Sequence, residues 1–76
     1  MLELYILESC PYCQKVMRFF KDNCVEYIKN DITNELFKNE LIKLGGKAQV
    51  PFLYDTTTEI SMYESDDIIQ YVKNKF

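Results

Sequence analysis

Two cysteines, Cys10 and Cys13, lie three residues apart in the segment CPYC, where an apolar run gives way to a helical pattern. Two thiols at this spacing can form a disulfide with each other, or can contribute half of a metal site. A closed zinc site needs four ligands, but the chain contains no histidine and its third and last cysteine is Cys24. The residue types therefore favour redox chemistry, and no metal is expected.

The proline of this segment predicts how the two thiols are presented. Proline is favoured at the first helical position, so a helix is expected to begin at Pro11 with Cys10 as its N-cap. The free N–H groups of the first turn and the helix dipole favour a thiolate at that position, and Lys15 adds a supporting positive charge. Cys10 is therefore the candidate nucleophile. Cys13, one turn later on the inward face, is the candidate resolving thiol.

The remaining cysteine has a different expected role. Cys24 falls at helical spacing after Cys13, Val16, Met17 and Phe20, so it is expected to continue the buried stripe of the first helix. A buried cysteine usually behaves as a small apolar side chain. Packing is therefore the first interpretation of Cys24.

Apolar periodicity predicts four strands and three helices around these thiols. In chain order they are a strand over residues 2–7, a helix from residue 11, a strand over 25–31, a helix over 33–44, strands over 50–55 and 58–62, and a last helix from 65. A strand, a crossover helix and a second strand imply a parallel pair with a right-handed connection. The order βαβ followed by ββα predicts an α/β fold with a central four-stranded mixed sheet, in a single domain over residues 1–76.

The second and third helices carry more detailed expectations. The second should end at Gly45 and Gly46 and bury one side, formed by Leu36, Phe37, Leu41 and Leu44. The third should have Ser65 as its N-cap and two acidic residues in its positive first turn, Asp66 and Asp67. Its buried stripe is predicted to contain Ile68, Ile69, Val72 and Phe76.

Composition narrows the possible partners. Hydrophobic residues make up 47% of the chain, with six tyrosines and five phenylalanines, as in packed globular proteins. Nine basic against twelve acidic residues give a net charge of −3 without a basic stripe, so neither nucleic acid nor a membrane is an expected partner. The N-terminal segment has no basic leader followed by a long apolar core, so we expect a soluble, cytoplasmic monomer.

Three motifs together resemble the dithiol glutaredoxin family: CPYC after the first strand, QVP at the third strand, and the acidic pair that starts the last helix. The resemblance covers essentially the whole chain and implies a thioredoxin-like fold. It implies that Cys10 is the nucleophile and Cys13 the resolving cysteine. The glutathione-binding residues that it implies are Tyr12, Val50, Pro51, Ser65 and Asp66, with a cis peptide bond before Pro51. The implied activity is reduction of protein disulfides and glutathionylated proteins, with glutathione as reductant.

Three residues, at two places in the chain, depart from the family pattern. Leu7 stands where many glutaredoxins carry a lysine, and Lys15 and Lys47 are candidates for the missing charge. Tyr63 and Glu64 stand where the family tends to carry a pair of glycines. The dipeptide of Glu64 and Ser65 before a helix instead resembles the glutathione transferase N-terminal domain, where such a pair meets the γ-glutamyl group.

Two alternatives keep the fold and change the function. One is a glutaredoxin-like redoxin reduced by a thioredoxin reductase, of the kind that supplies electrons to ribonucleotide reductase; Leu7 favours it. The other is a carrier in which two chains each contribute Cys10 and two glutathione molecules complete the ligands of a [2Fe–2S] cluster. By analogy with the family, Pro11 beside the first cysteine disfavours the carrier.

Overall fold

The computed structural model of the chain describes residues 1–75, so the expected burial of Phe76 lies outside the described residues. The elements follow the predicted order: β1 (Leu2–Ile6), α1 (Pro11–Asp22), β2 (Ile28–Asp31), α2 (Glu35–Gly45), β3 (Phe52–Asp55), β4 (Ile60–Met62) and α3 (Ser65–Lys75). Strands β2 and β3 begin later than predicted. The N–H of Val25 bonds back to Phe20 O at 2.9 Å, and Pro51 has no N–H to give to a ladder.

The four strands form one mixed sheet in the order β2-β1-β3-β4. Strand β1 pairs in parallel with β2, with Glu3 opposite Ile28, and antiparallel with β3, with Leu2 opposite Asp55. Strand β4 completes the sheet as an antiparallel partner of β3. The predicted α/β architecture, with a four-stranded mixed sheet and three helices, is therefore confirmed.

Side-chain alternation along β1 divides the core between the two faces of the sheet. Leu4 and Ile6 belong to a larger cluster with apolar residues of α1 and α3, which are Cys13, Val16, Phe20, Ile68 and Val72. Tyr5 points the other way, into a smaller cluster with Ile32, Leu41 and Phe52. Helices α1 and α3 therefore cover one face, and α2 covers the other.

Helix α2 buries less of its apolar surface than predicted. Leu41 is buried and Phe37 is partly buried, but Leu36 is 71% exposed and Leu44 is 40% exposed. The smaller core cluster is contacted from α2 by residues four positions apart, Phe37 and Leu41, which form a narrow stripe on a helix. The predicted burial of Leu36 and Leu44 is wrong: Leu36 lies off that stripe, and Leu44 continues it into the last turn of the helix but is outside the core cluster.

The prediction that Cys24 is buried in α1 is also wrong. The helix ends at Asp22, and its C-cap residue Asn23 donates both its main-chain N–H and its Nδ2 to Phe19 O, at 3.1 and 2.9 Å. Cys24 then adopts a φ of 54° and is exposed. Helical spacing cannot bury a residue that the chain reaches only after the helix has stopped.

The prediction that Ser65 is the N-cap of α3 is wrong by one position. The N–H of Ile68 bonds to Glu64 O at 2.9 Å, so Glu64 holds the N-cap position and Ser65 is the first helical residue. Asp66 and Asp67 lie in the first turn as predicted, Ile68 and Val72 are buried, and Ile69 is partly buried.

The far end of α3 is fastened to the sheet by a buried carboxylate. Asp55, the last residue of β3, is 1% exposed, and its Oδ2 accepts hydrogen bonds from Tyr71 Oη and Lys75 Nζ, both at 2.7 Å. Its Oδ1 accepts the Thr57 N–H at 3.0 Å. The hydrogen bond from Lys75, more than those from Tyr71 and Thr57, holds the pKa of Asp55 well below its ordinary value.

None of the helices within residues 1–75 is long and apolar enough to cross a bilayer.

Candidate functional site

The CPYC segment forms the start of α1, as predicted. The helix begins at Pro11, and Cys10 is its N-cap with extended backbone angles, φ −79° and ψ 120°. A turn closes before it, since the Cys10 N–H bonds to Leu7 O at 3.1 Å, and the first helical bond runs from Gln14 N to Cys10 O at 3.0 Å. The Cys10 side chain makes no capping hydrogen bond in the described chain, so its sulfur is not occupied by a helix N–H.

The two thiols of this segment lie in different environments. Cys10 is partly exposed, whereas Cys13 is fully buried, and neither is in a disulfide. Burial, above all, raises the pKa of Cys13 to about 12; a hydrogen bond with the Leu7 backbone lowers it and the contact with Cys10 raises it by smaller amounts. Cys13 is therefore a protonated thiol at neutral pH, directly behind an accessible one.

An open cleft of about 440 Å³ starts at Tyr12, the residue that precedes Cys13, although neither thiol is among the residues that line it. It is lined by Tyr12, Gln49, Val50, Pro51, Tyr63, Glu64, Ser65 and Asp66. All five residues that the glutaredoxin resemblance implies for glutathione are in this lining, although they come from three separate segments of the chain. A surface depression of about 400 Å³ next to Cys24 contains none of them.

Val50 is one of the residues that line this cleft. No hydrogen bond to the N–H or C=O of Val50 occurs within residues 1–75. The peptide bond that joins Val50 to Pro51 is cis, as the resemblance predicts. Val50 is half-buried and Pro51 is buried, so a donor and an acceptor are presented on a well-packed support.

The charged groups around the cleft are arranged differently from the expectation. Lys15 Nζ bonds to Asp66 Oδ1 at 2.6 Å, so its charge joins the starts of α1 and α3. Lys47 Nζ lies 4.9 Å from the centre of the Tyr63 ring. The two charged residues in the lining, Glu64 and Asp66, are both acidic. Neither lysine is among the residues that line the cleft.

The structure also accounts for Leu7 and for three further residues of the cleft lining, Gln49, Tyr63 and Glu64. Leu7 packs against the smaller core cluster, which accounts for an apolar side chain there. Gln49 precedes Val50 in sequence, which was the available signal for it, whereas Tyr63 and Glu64 had been noted as departures from the glutaredoxin pattern. In the described part of the chain, no group of three or more histidine, cysteine or acidic residues is placed to hold a metal ion.

Comparison with known proteins decides the family. A family model described as glutathione S-transferase, N-terminal domain, matches residues 4–76. The chain belongs to this family. A search of curated proteins found no significant match.

Solved structures give the same fold. Glutaredoxin 2 of Salmonella typhimurium, solved in complex with glutathione, is 28% identical to the chain, with a TM-score of 0.83 over 97% of this chain and 33% of that one. Human glutathione S-transferase T1-1 is 24% identical, with a TM-score of 0.81 over 99% and 32% of the two chains. A thioredoxin-like protein is 21% identical and is covered fully, as is this chain, with a TM-score of 0.83.

These similarities establish a thioredoxin-like α/β domain of the glutathione S-transferase N-terminal type. The likenesses to the human transferase and to the thioredoxin-like protein show the fold alone, because their identity is low. The chain spans about one third of the length of the Salmonella glutaredoxin and of the human transferase.

Proposed function

We propose that the chain is a glutathione-dependent thiol–disulfide oxidoreductase of the dithiol glutaredoxin type. It acts in the cytoplasm on proteins that carry disulfides or bound glutathione. The observation that carries the proposal is the unequal thiol pair beside the cleft: an accessible Cys10 at a helix N-cap and a buried, protonated Cys13 behind it. This pairing suits a nucleophile and a thiol that attacks second.

The proposed reaction is two successive thiol–disulfide exchanges. The Cys10 thiolate attacks the glutathione sulfur of a mixed disulfide, a bond forms between the two sulfurs, and the target thiolate leaves and takes up a proton. A second glutathione thiolate then attacks the glutathione sulfur, which gives oxidised glutathione and restores Cys10. With a protein disulfide, the Cys10 thiolate attacks one target sulfur and releases the other as a thiolate, which takes up a proton. Cys13 then loses its proton and attacks the Cys10 sulfur, so the second target sulfur leaves as a thiolate, takes up that proton, and an internal disulfide remains. Glutathione then reduces that disulfide.

The cleft offers suitable groups for glutathione. The N–H and C=O of Val50 can pair with the main chain of its cysteinyl residue, as a one-residue strand addition does. The start of α3, with Ser65 and Asp66, offers helix N–H groups for the γ-glutamyl carboxylate and a carboxylate for its amine. Tyr12, which is 64% exposed, can flank the ligand. The related Salmonella glutaredoxin was solved with glutathione bound.

Steady-state reduction of a glutathionylated peptide tests the proposal. We expect turnover with glutathione and glutathione reductase, loss of turnover in Cys10→Ser, and retained turnover in Cys13→Ser, which should lose reduction of protein disulfides. Cys24→Ser is the matched control, because this exposed cysteine lies apart from the cleft. Loss of turnover in Cys24→Ser but not in Cys10→Ser would refute the assignment.

The same assay distinguishes between the two possible electron donors, glutathione and thioredoxin reductase. Turnover only with NADPH and thioredoxin reductase would identify the redoxin alternative, which the apolar packing of Leu7 and the acidic lining of the cleft favour. Absence of turnover with either donor would reject the oxidoreductase.

A glutathione transferase is the second candidate, because the family match is to a transferase N-terminal domain. In that case glutathione itself would be the nucleophile, and its thiolate would attack an electrophilic carbon. Conjugation of glutathione to chlorodinitrobenzene would measure this activity. Conjugation that persists in Cys10→Ser, without reduction of the glutathionylated peptide by the unmodified chain, would favour the transferase.

A further inference from the structure

Tyr63 ties the loop that carries Val50 to the loop that precedes α3. Its hydroxyl donates to Lys47 O at 2.8 Å and accepts from Lys47 N at 3.2 Å. One side chain thus satisfies both main-chain groups of one residue. A neighbouring strand would do the same through its backbone.

This tether makes the only hydrogen bonds to the main chain of residues 47–51 that occur in the described chain. Before this loop, Gly46 N bonds to Ile42 O at 2.7 Å at the end of α2. After it, Phe52 enters the ladder opposite Tyr5. The substrate-facing Val50 therefore lies in a segment whose hydrogen-bonded support comes from Tyr63 alone.

The ring of Tyr63 is also held by close contacts with its neighbours. Its centre lies 4.7 Å from that of the Phe52 ring and 4.9 Å from Lys47 Nζ. A Cβ atom added at Gly45 would lie 2.1 Å from Tyr63 Oη and 2.9 Å from Phe52 Cε1. The hydroxyl can reach Lys47 only because residue 45 has no side chain.

We propose that Tyr63 is a positioning residue that holds the Val50 main chain in register for the bound substrate. The inference rests on the proposed function, because it assigns Val50 to pairing with the cysteinyl backbone of glutathione or of a glutathionylated peptide. Tyr63 does not touch the reacting sulfurs. Its loss weakens substrate binding and leaves the thiol chemistry of Cys10 and Cys13 intact.

The test compares Tyr63→Phe with Tyr71→Phe. Tyr63→Phe removes both hydrogen bonds to Lys47 and keeps the ring. Tyr71→Phe is the matched control, because it removes a hydroxyl bonded to Asp55 at 2.7 Å, away from the cleft. In Tyr63→Phe we expect the KM for a glutathionylated peptide to rise about fivefold, the factor for one ordinary hydrogen bond. Both kcat and the rate of Cys10 alkylation by iodoacetamide should stay the same.

Nitrogen-15 relaxation of the ligand-free protein gives a second readout. The order parameters of Gln49 and Val50 should fall in Tyr63→Phe and not in Tyr71→Phe. Gly45→Ala displaces the same hydroxyl from the other side and should also raise KM. An unchanged KM in an active Tyr63→Phe protein, or an equal rise in Tyr71→Phe, would overturn the inference. If the unmodified chain is inactive, the proposed function fails, and unchanged order parameters would overturn the positioning role independently.

Discussion

At the scale of single residues, one helical turn gives two identical thiols opposite properties. Pro11 starts α1, which leaves Cys10 at the rim and carries Cys13 into the core. Burial then destabilises the thiolate form of Cys13 far more than it would destabilise the thiolate of an accessible cysteine. The residue types and their spacing predicted this division, because a helix start has a known geometry.

The extent of alkylation should show the difference in reactivity between Cys10 and Cys13 directly. Because the pKa of Cys13 is raised to about 12, its thiolate fraction stays negligible at neutral pH and grows only as the pH approaches that value. Limited treatment with iodoacetamide at pH 7 should modify Cys10 and the exposed Cys24 and spare Cys13, as peptide mapping by mass spectrometry can show. Modification of Cys13 at neutral pH as fast as that of Cys24 would contradict the account.

Cys24 shows what residue spacing cannot predict. Its position fits the stripe of Cys13, Val16 and Phe20, but the helix has already ended, because the N–H of Cys24 bonds to Lys21 O and the N–H of Val25 bonds to Phe20 O. The end of a helix depends on such local capping bonds. A periodic pattern of apolar residues does not contain them.

At the scale of elements, two neighbouring glycines at the end of α2 have different roles. Gly46 adopts a φ of 93° as the C-cap, with no atom within 4 Å of the place where a Cβ would lie. Gly45 is helical, and its missing side chain makes room for Tyr63. The sequence predicted that both would end the helix, which describes Gly46 and misses the packing role of Gly45.

Gly45→Ala should therefore destabilise the fold. In an ordinary helix this substitution would add roughly 0.5–1 kcal/mol of stability. Here the clash with Tyr63 and Phe52 should reverse the sign and cost about 1–3 kcal/mol in urea unfolding. Combining it with Tyr63→Ala should recover part of that loss, because the nearest contact is then gone. A stability increase in the single variant would contradict the packing described here.

The hydrogen bonds that Asp55, at the end of β3, accepts from α3 should make the free energy of unfolding depend on pH in the acid range. The pKa of Asp55 is lowered in the folded chain, so its contribution is complete above the ordinary aspartate pKa of about 3.9 and is lost as the pH falls through the folded-state value. Asp55→Asn should cost about 1.5–3 kcal/mol at pH 7, since it removes hydrogen bonds to a buried charge. The difference should shrink at pH 2.5.

Urea unfolding at both pH values measures this difference. The matched control is Asp22→Asn, because Asp22 is exposed and makes no side-chain hydrogen bond or ion pair in residues 1–75. A cost for Asp55→Asn that is equal at the two pH values would show that the charge of Asp55 is not what holds α3 to the sheet.

At the scale of the whole molecule, the element order and the sheet were predictable from sequence, but the cleft needed more. The βαβ unit has one favoured handedness, which leaves few ways to arrange the strands. The cleft joins Tyr12, the Val50 loop and the start of α3, which are far apart in sequence. Apolar periodicity does not bring these segments together, so their meeting was predicted only through the family resemblance.

The central claim is that Cys10 receives glutathione in this cleft, and trapping tests it most directly. Cys13→Ser should be mixed with a glutathionylated peptide without added reductant, and the products mapped by mass spectrometry. The account predicts a glutathione adduct on Cys10, with the peptide released as its free thiol. An adduct on Cys24 alone, or no glutathione transferred to the protein, would contradict it.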